Sequence, residues 1–515
     1  MRRSACFIPT RHEACPAADE TSISAEYLER LGYVSPLASG LYTHLPLGFA
    51  AFENLKRILN AHLAEIAGCS FHEFPALHPV GLWERSGRLE KFGPSIFRLK
   101  DQRGRPFLLA PTHEVTAADT AARFIKSHRD LPVRISQIQT NYRDEVRARG
   151  GVIRTRQFTM HDAYSFDRGY DEASVAYELF KEAYIRTFAE IRLPIVLSEQ
   201  SDMGSIGGDR SHEFHLPTSA GDDTIRDPGG SERRSMEVAH IFMLGTFYSE
   251  PMGAYYVAPD GRRLPVYMCS FGMGIERSVA AYVEHYFRAG EKDQVLWSWA
   301  LSPFQVMILG SSDSCIAAYG ELRKTWRVLI DDRDIRFGEI LAEGFQFGFP
   351  IYVVAGPRAR PGEVEVHCRR LAVEEKVPVA ELPAFVDGLR QKLECVELAD
   401  CYGRLVSMDD AAKTAIVAFD EPWELSAPLY KPIDVPGDLM GRFGVPPRFG
   451  TGKRLRFGEY WITPIVRAMD SRSLAVASHG AIPYATYGDG PEAERQAAQL
   501  YHDRCVRYPE HDVSA

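Results

Sequence analysis

The sequence predicts an α+β fold in which helices pack against an antiparallel sheet, followed by a small α/β domain and an extra C-terminal module. Strand-like runs such as FHEFPAL, PFLLA and QFTMHDAYSF are separated by helical stretches without a regular βαβ succession. The apolar residues of the segment from Phe52 to Leu63 recur on one helical stripe, which predicts a long helix lying on a sheet. After Trp299 strand and helix patterns alternate, as in a small α/β domain.

These changes in pattern predict three parts. Residues 1–299 form the main domain and residues 300–393 the small α/β domain, in which FQVMIL, RVLIDD and PIYVVAG are the strand candidates. From Glu394 the sequence becomes irregular and rich in glycine and proline, so residues 394–515 are predicted to form a separate extension of unknown role.

Composition narrows the functional classes. The 515 residues are 45% hydrophobic but contain no apolar run long enough to span a membrane, so we expect a soluble, cytoplasmic protein. The nine cysteines have no metal-ligand spacing, which disfavours structural zinc and a disulfide framework. The net charge of -9 argues against a generic polyanion binder, so a nucleic-acid partner would need a local basic face.

Charged residues are densest in TNYRDEVRARGGVIRTRQFTMHDAYSF, residues 140–166, where two strand patterns flank a glycine pair. Alternation places Arg143 with Glu145 on one face of the first strand, and Arg154, Arg156 and Phe158 on one face of the second. Guanidinium groups suit phosphate or carboxylate ligands, and an aromatic ring can stack a base. A solvated hairpin with cross-strand ion pairs explains the same pattern.

This segment resembles motif two of the class II aminoacyl-tRNA synthetases, and YRDEVR, GVIRTRQF and DAYSF are similar to the prolyl enzymes in particular. Further similar segments follow in the family's order: LASGLYTHLPLG, the motif-one-like FPALHPVGLWERSGRLEKFG, PTHE, GSIGGDRSHEF, EVAHIFMLGTFYSEPMGA, the motif-three-like FGMGIERSVAAYVE, and VLIDDRDIRFGE with YVVAGPR. The resemblance implies a class II synthetase sheet in residues 1–299. It also implies that residues 300–393 are a shortened anticodon-binding-like domain.

The resemblance assigns roles to particular residues. It implies catalytic roles for Arg143 and Arg277, which would stabilise charge on the phosphates. The residues implied in ATP binding are Arg143, Glu145, Arg154, Phe158, Glu237, His240 and Arg277, with Mg²⁺ accompanying the nucleotide. The residues implied in amino-acid binding are Thr112, Glu114, Arg143, Asp162, Phe242 and Ser270. Taken singly, most have a plainer explanation: Glu114 could be an ordinary helix-start carboxylate, and Glu237 with His240 a surface ion pair.

The implied function is ATP-dependent activation of proline to prolyl-adenylate and its transfer to the 3′ end of proline tRNA by a homodimer. Two alternatives stay open at this point. One is a paralogue that activates proline or an analogue for a non-tRNA acceptor or for inhibitor resistance. The other is an inactive tRNA-binding or regulatory protein.

The sequence also departs from the family pattern. Only a short linker near residues 226–235 stands where many bacterial relatives carry an editing domain. Gln157 replaces an acid, and His161 and Phe247 each replace a lysine. Cys269 adds a side chain to a strand that borders the amino-acid pocket in the family, where it could narrow the pocket or simply be a small buried residue.

Overall fold

The computed structural model describes residues 1–10, 22–200, 208, 210–226, 232–288, 294–356 and 359–402, together with five short strands beyond residue 403. Most of the predicted C-terminal extension therefore lies outside the described residues. In the described part of the chain, no helix has both the length and the apolar character needed to cross a bilayer.

Eight helices belong to the main domain: α1 Ile23–Arg30, α2 Pro46–His62, α3 Val80–Arg85, α4 Leu89–Phe92, α5 Glu114–Phe124, α6 Tyr170–Ile191, α7 Ser249–Met252 and α8 Ile275–Tyr286. The predicted long helix is α2, which begins with a proline at its first position and continues into a π-helical turn, Leu63–Ala67. Its apolar stripe is buried, as the periodicity predicted.

The strands of the main domain are β1 Val34–Ala38, β2 Leu41–His44, β3 Ser70–Phe71, β4 Leu77–Pro79, β5 Arg98–Lys100, β6 Pro106–Leu109, β7 Val133–Tyr142, β8 Gln157–Asp167, β9 Val196–Gln200, β10 Arg210–Pro217, β11 Asp223–Arg226, β12 Glu232–Gly245, β13 Tyr255–Val257, β14 Arg263–Pro265, β15 Tyr267–Gly274, β16 Phe287–Arg288 and β17 Gln294–Val295. Eight of them form one sheet in the order β3-β7-β8-β15-β12-β10-β9, with β11 paired to β12. All pairs in this sheet are antiparallel except β3 with β7, which confirms the predicted α+β class.

The register of this sheet separates two faces. Ser270 in β15 pairs with Tyr164 in β8 and with Phe242 in β12, while Gly272 pairs with Asp162 and His240. We call the face that carries these side chains the front face. The other, the back face, packs on α6: the Phe271 ring stacks on Phe180 with centroids 3.7 Å apart, and a hydrogen bond of 2.8 Å joins His161 Nδ1 to Tyr184 OH.

The predicted editing gap is occupied by a simple hairpin. Strands β11 and β12 pair from Asp223 with Ser235 to Arg226 with Glu232. The chain therefore passes between them through residues 227–231, a stretch too short for a folded domain.

The small domain contains five strands and three helices: β18 Val306–Leu309, β19 Val328–Asp331, β20 Ile351–Val354, β21 Glu363–Cys368, β22 Val373–Pro378, α9 Asp313–Leu322, α10 Phe337–Gly344 and α11 Leu382–Tyr402. Its sheet has the order β19-β18-β20-β21-β22, and the first three strands run parallel. Helix α11 runs past residue 394, so the proposed start of the extension falls inside a helix. Beyond it lie β23 Arg404–Asp409, β24 Thr414–Ala418, β25 Glu424–Pro428, β26 Leu455–Phe457 and β27 Tyr460–Ile462.

Short 3₁₀ turns connect the longer elements. They are Arg3–Ala5, Gly93–Ser95, His128–Asp130, Phe345–Phe347 and Arg369–Leu371.

Candidate active site

A cavity of about 280 Å³ opens on the front face between the β7–β8 connection and the start of α8. All seven residues predicted to bind ATP line it: Arg143, Glu145, Arg154, Phe158, Glu237, His240 and Arg277. Phe242, predicted to contact the amino acid, also lies on its wall. The structure therefore brings together side chains from four separate segments of the sequence.

Arg143 stands just after β7 at the inner end of this cavity. Its Nε donates to the carbonyl oxygen of Pro111 at 3.3 Å, and its guanidinium carbon lies 5.1 Å from the Phe158 ring centroid. Burial and the charge of Arg277 lower the pKa of Arg143 from its ordinary value. An anion placed between the two guanidinium groups would relieve this repulsion.

The loop between β7 and β8 contains Gly150 and Gly151 as predicted, but it is longer than predicted, because β7 ends at Tyr142. Strand β8 begins only at Gln157, so strand alternation does not apply to Arg154 or Arg156. Arg154 Nε donates to Glu145 Oε2 at 3.0 Å, which is the ion pair of the plainer explanation. Arg156 is not in the cavity wall, because its Nη1 donates to the carbonyl oxygen of Ser39 at 3.1 Å. The prediction that Arg156 shares a face with Arg154 and Phe158 is therefore wrong.

Glu237 and His240 are three residues apart in β12, a spacing that would put them on opposite faces of a regular strand. A bulge resolves this, because the pairing with β10 shifts between Ala239 and Glu237 and leaves Val238 extra. A hydrogen bond of 2.9 Å then joins His240 Nδ1 to Glu237 Oε1. The bulge was not predictable from the sequence pattern.

Arg277, in the first turn of α8, completes this end of the cavity. Its Nη1 donates to the carbonyl oxygen of Glu237 at 3.1 Å, and its Nε donates to that of Ile153 at 2.9 Å. Burial would raise the pKa of Glu237, but the hydrogen bond and charge of His240 and the charge of Arg277 lower that pKa to about 2. Glu237 is therefore an ionised carboxylate, a ligand type that suits Mg²⁺.

A buried polar group made of Thr112, Glu114 and Ser270, which we call the Glu114 pocket, lies where α5 begins. It adjoins the cavity, because Ser270 pairs in the sheet with Phe242 of the cavity wall. Thr112 Oγ1 donates to Glu114 Oε2 at 2.5 Å, and Ser270 Oγ donates to Glu114 Oε1 at 2.9 Å. All three residues are buried. Because Ser270 belongs to the central sheet, Glu114 is more than a helix-start carboxylate: its side chain is turned onto the front face.

Asp162 lies further along the front face, in a polar network that the sequence did not reveal. Its Oδ2 accepts hydrogen bonds from Gln137 Nε2 at 2.9 Å and from Tyr164 OH at 2.8 Å, and His113 Nδ1 lies 3.3 Å away. Burial would raise the pKa of Asp162, but His113, Gln137 and Tyr164 together lower it. The alternation of side chains along β8 could have predicted that Tyr164 shares a face with Asp162. No local pattern predicts that Gln137 and His113 lie there too, because their positions depend on how distant segments pack together.

Cys269 does not border this pocket. It lies on the back face, fully buried, with its Sγ 3.7 Å from the carbonyl oxygen of Ala173 in α6. The adjacent Ser270 faces the pocket instead, so of the two alternatives for Cys269, narrowing of the pocket is wrong and a small buried residue is correct. His161 is likewise on the back face, and Gln157 is exposed at the start of β8.

The chain is similar in sequence to known proteins of one family. The family model described as "tRNA synthetase class II core domain (G, H, P, S and T)" matches residues 97–286. The Proline--tRNA ligase of Wolbachia sp. subsp. Brugia malayi is 32% identical over 425 residues, which cover 74% of this chain and 98% of the relative. That of Rhizobium etli is 32% identical over 446 residues, which cover 75% and 100%.

Solved structures resemble the fold as well. The prolyl-tRNA synthetase of Cryptosporidium parvum complexed with L-proline and AMP has a TM-score of 0.63 and 20% identity, covering 75% of this chain and 78% of that chain. The same enzyme complexed with halofuginone and AMPPNP also has a TM-score of 0.63, covering 73% and 76%. At this identity the structures support the fold, and the closer sequence relatives establish the family. The chain belongs to the proline--tRNA ligase family of class II aminoacyl-tRNA synthetases.

Proposed function

We propose that this chain activates proline with ATP to form prolyl-adenylate and pyrophosphate, and then transfers the prolyl group to the 3′ end of proline tRNA. One observation carries the proposal: a cavity lined by guanidinium groups, carboxylates and aromatic rings adjoins a buried cluster of polar side chains around Glu114. The relatives that share the chain's sequence over 98–100% of their own length are named for this reaction.

Arg143 would join the two halves of the site. Its Nε is bonded to the carbonyl of Pro111, the residue before Thr112, and its guanidinium also lies over Phe158 in the cavity. From there it would contact both the carboxylate of proline and the α-phosphate of ATP. The carboxylate oxygen attacks the α-phosphorus and the bond to pyrophosphate breaks, so no protein nucleophile is needed. Catalysis would then come from positioning and from charge stabilisation by Arg143 and Arg277.

The Glu114 pocket would bind the ammonium group of proline. Glu114 offers a carboxylate and Thr112 a hydroxyl, and Asp162 adds a carboxylate with a lowered pKa on the same face. Hydrogen bonds between ionised groups are the stronger kind, and burial keeps water from competing for them. Phe242 and Ser270 would supply the wall that separates this pocket from the nucleotide.

The cavity would hold ATP with its adenine against Phe158 and its amino group on Glu145. Arg154 and Arg277 would contact the outer phosphates. Arg154 is paired with Glu145 in this structure, so nucleotide binding would exchange that ion pair for two contacts with ATP. Glu237, ionised beside His240, fits a magnesium ligand, and Mg²⁺ bound there would neutralise phosphate charge.

Other parts of the proposal follow from the family resemblance. We propose a homodimer, a tRNA-contacting role for residues 300–393, and a cytoplasmic location. Neither alternative function gains support from a particular observation: the cavity keeps all the residues expected for activation, which disfavours an inactive protein.

The test is amino-acid-dependent exchange between ATP and pyrophosphate with proline, alanine and cysteine, followed by acylation of total tRNA. Exchange with proline and stable charging of proline tRNA would support the proposal. Exchange without charging would overturn the proposed acceptor. Failure of every amino acid to promote exchange would overturn proline activation itself.

A further inference from the structure

Phe247 stands at the rim of the amino-acid pocket, where the family has a lysine. It follows Gly245, the last residue of β12, and its side chain is 39% exposed. The Arg88 guanidinium carbon lies only 3.7 Å from the Phe247 ring centroid, and it also lies 4.7 Å from the ring of Tyr248. Lys91 Nζ, from α4, lies 5.2 Å from the same Phe247 ring. We call Arg88, Lys91 and Phe247 the rim cluster.

The rim cluster is close to the proposed site of chemistry. Arg88 is almost fully buried against Tyr248, the residue that follows Phe247 in the chain. Tyr248 belongs to the same buried cluster as Phe242 of the cavity wall and Val115, the residue that follows Glu114. A group that rests on Phe247 would therefore stand beside the amino acid held at Glu114.

The chemistry of the cluster favours a nucleotide over an apolar ligand. The Arg88 guanidinium covers one side of the Phe247 ring, so the exposed part of the ring is a surface backed by a cation. Bases stack on such rings, and the exposed ammonium of Lys91 suits a phosphate. Since the chain as a whole has a net charge of -9, local cations of this kind are needed wherever it meets a polyanion.

We propose that Phe247, supported by Arg88 and Lys91, stacks the 3′-terminal adenine of the acceptor tRNA and so places the terminal ribose beside the activated amino acid. This inference rests on the proposed function and adds to it a binding site for the end of the acceptor. The transfer joins a ribose hydroxyl oxygen to the prolyl carbonyl carbon and breaks the bond between that carbon and the adenylate phosphate oxygen. AMP leaves, and its phosphate accepts the proton lost by the hydroxyl. Phe247 positions the acceptor and takes no part in these bond changes.

The experiment compares wild-type enzyme with the Phe247→Ala variant in two assays: proline-dependent exchange, which needs no tRNA, and single-turnover charging of proline tRNA. Base stacking on an aromatic ring is worth roughly 1 to 3 kcal/mol, so the ratio of charging rate to exchange rate should fall roughly 5- to 150-fold. Phe247→Tyr, which keeps an aromatic ring, should restore the ratio. Phe49→Ala serves as the matched control, because Phe49 is another exposed phenylalanine, in α2.

A second acceptor makes the test specific to the base. Proline tRNA whose terminal adenine has been removed should be charged at the same low rate by wild type and by Phe247→Ala. Equal charging of intact tRNA by both enzymes would overturn the inference, as would a loss shared equally by exchange. A defect that persists with the base-free acceptor would indicate another partner for the ring. If wild type exchanges but charges no tRNA, the proposed acceptor fails, and the inference fails with it.

Discussion

Replacing Arg143 by alanine should abolish most of the activation reaction while leaving the fold intact. Within the described structure the side chain of Arg143 donates one hydrogen bond, from Nε to the carbonyl oxygen of Pro111, so both of its Nη groups remain available to substrates. Burial lowers the pKa of this guanidinium, and its neighbour Arg277 lowers it further. The charge of Arg143 therefore contributes little to the stability of the folded protein, whereas it would contribute strongly to the binding of anionic substrates.

The size of the effect follows from these donors. A guanidinium carries five N–H groups, of which four belong to the two Nη atoms. If two of them bond to the α-phosphate and the proline carboxylate in the transition state, each charge-assisted bond contributes about 1.5 to 3 kcal/mol. The combined loss of about 3 to 6 kcal/mol corresponds to a rate decrease of roughly 10² to 10⁴. The exchange rate of Arg143→Lys should lie between those of wild type and Arg143→Ala, because lysine keeps the positive charge but lacks the planar guanidinium group.

The assay is proline-dependent exchange of pyrophosphate into ATP, with kcat and KM for both substrates, alongside thermal unfolding. Arg262→Ala is the control, because Arg262 is exposed and its side chain pairs with Asp260, outside the cavity, and the substitution should change kcat less than twofold. The midpoint of unfolding of Arg143→Ala should stay within a few degrees of wild type. A variant that keeps exchange within tenfold of wild type, or loses it only by unfolding, would refute the proposed role.

Four further substitutions test other parts of the site. Glu237→Gln should raise several-fold the Mg²⁺ concentration needed for half-maximal exchange, and unchanged Mg²⁺ dependence would contradict its role. Gly272→Ala should raise the KM for ATP, because a Cβ would stand 2.6 Å from His240 Nε2 and displace that ring. An unchanged KM for ATP would contradict the proposed role of His240 in ATP binding. Asp167, whose pKa burial raises to about 7, holds its proton better folded than unfolded. The free energy of unfolding should therefore fall by up to about 4 kcal/mol as pH rises from about 4 to 7, and Asp167→Asn should remove this slope in urea titrations. Cys269→Gly should lower the free energy of unfolding by roughly 1 to 3 kcal/mol but leave the KM for proline unchanged, since its side chain faces α6.

Local patterns predicted the elements of the fold better than their arrangement. The stripe on α2 and the alternation in β8 each depend on a few consecutive residues, and both elements form as expected. Between β7 and β8 the predicted loop at Gly150 and Gly151 is present, and both glycines have positive φ angles, 67° and 60°. The strands were predicted to reach further into this segment, because its arginines alternate with other residues, but β7 ends at Tyr142 and β8 begins at Gln157. The order of the eight strands depends on distant pairings that no local pattern contains.

The cavity residues were identified through family resemblance, and the sequence alone could not have grouped them. Glu237 and His240 share a side only because of the bulge at Val238, whose position is set by pairing with another strand. The network around Asp162 was missed for the same reason: Gln137 meets Asp162 through the register of β7 with β8. Such contacts need tertiary structure before chemistry can be assigned to them.

The two faces of the sheet also decide which departures from the family can affect activity. Cys269 and His161 both lie on the back face, where they contact α6 and not substrates. Gln157 is exposed at the edge of β8. Phe247 alone of the four stands at the pocket rim, next to Arg88. Since the cavity and the pocket keep their predicted residues, we expect proline activation to follow the family. Any functional difference caused by these substitutions should then appear in the transfer step, where the acceptor meets Phe247.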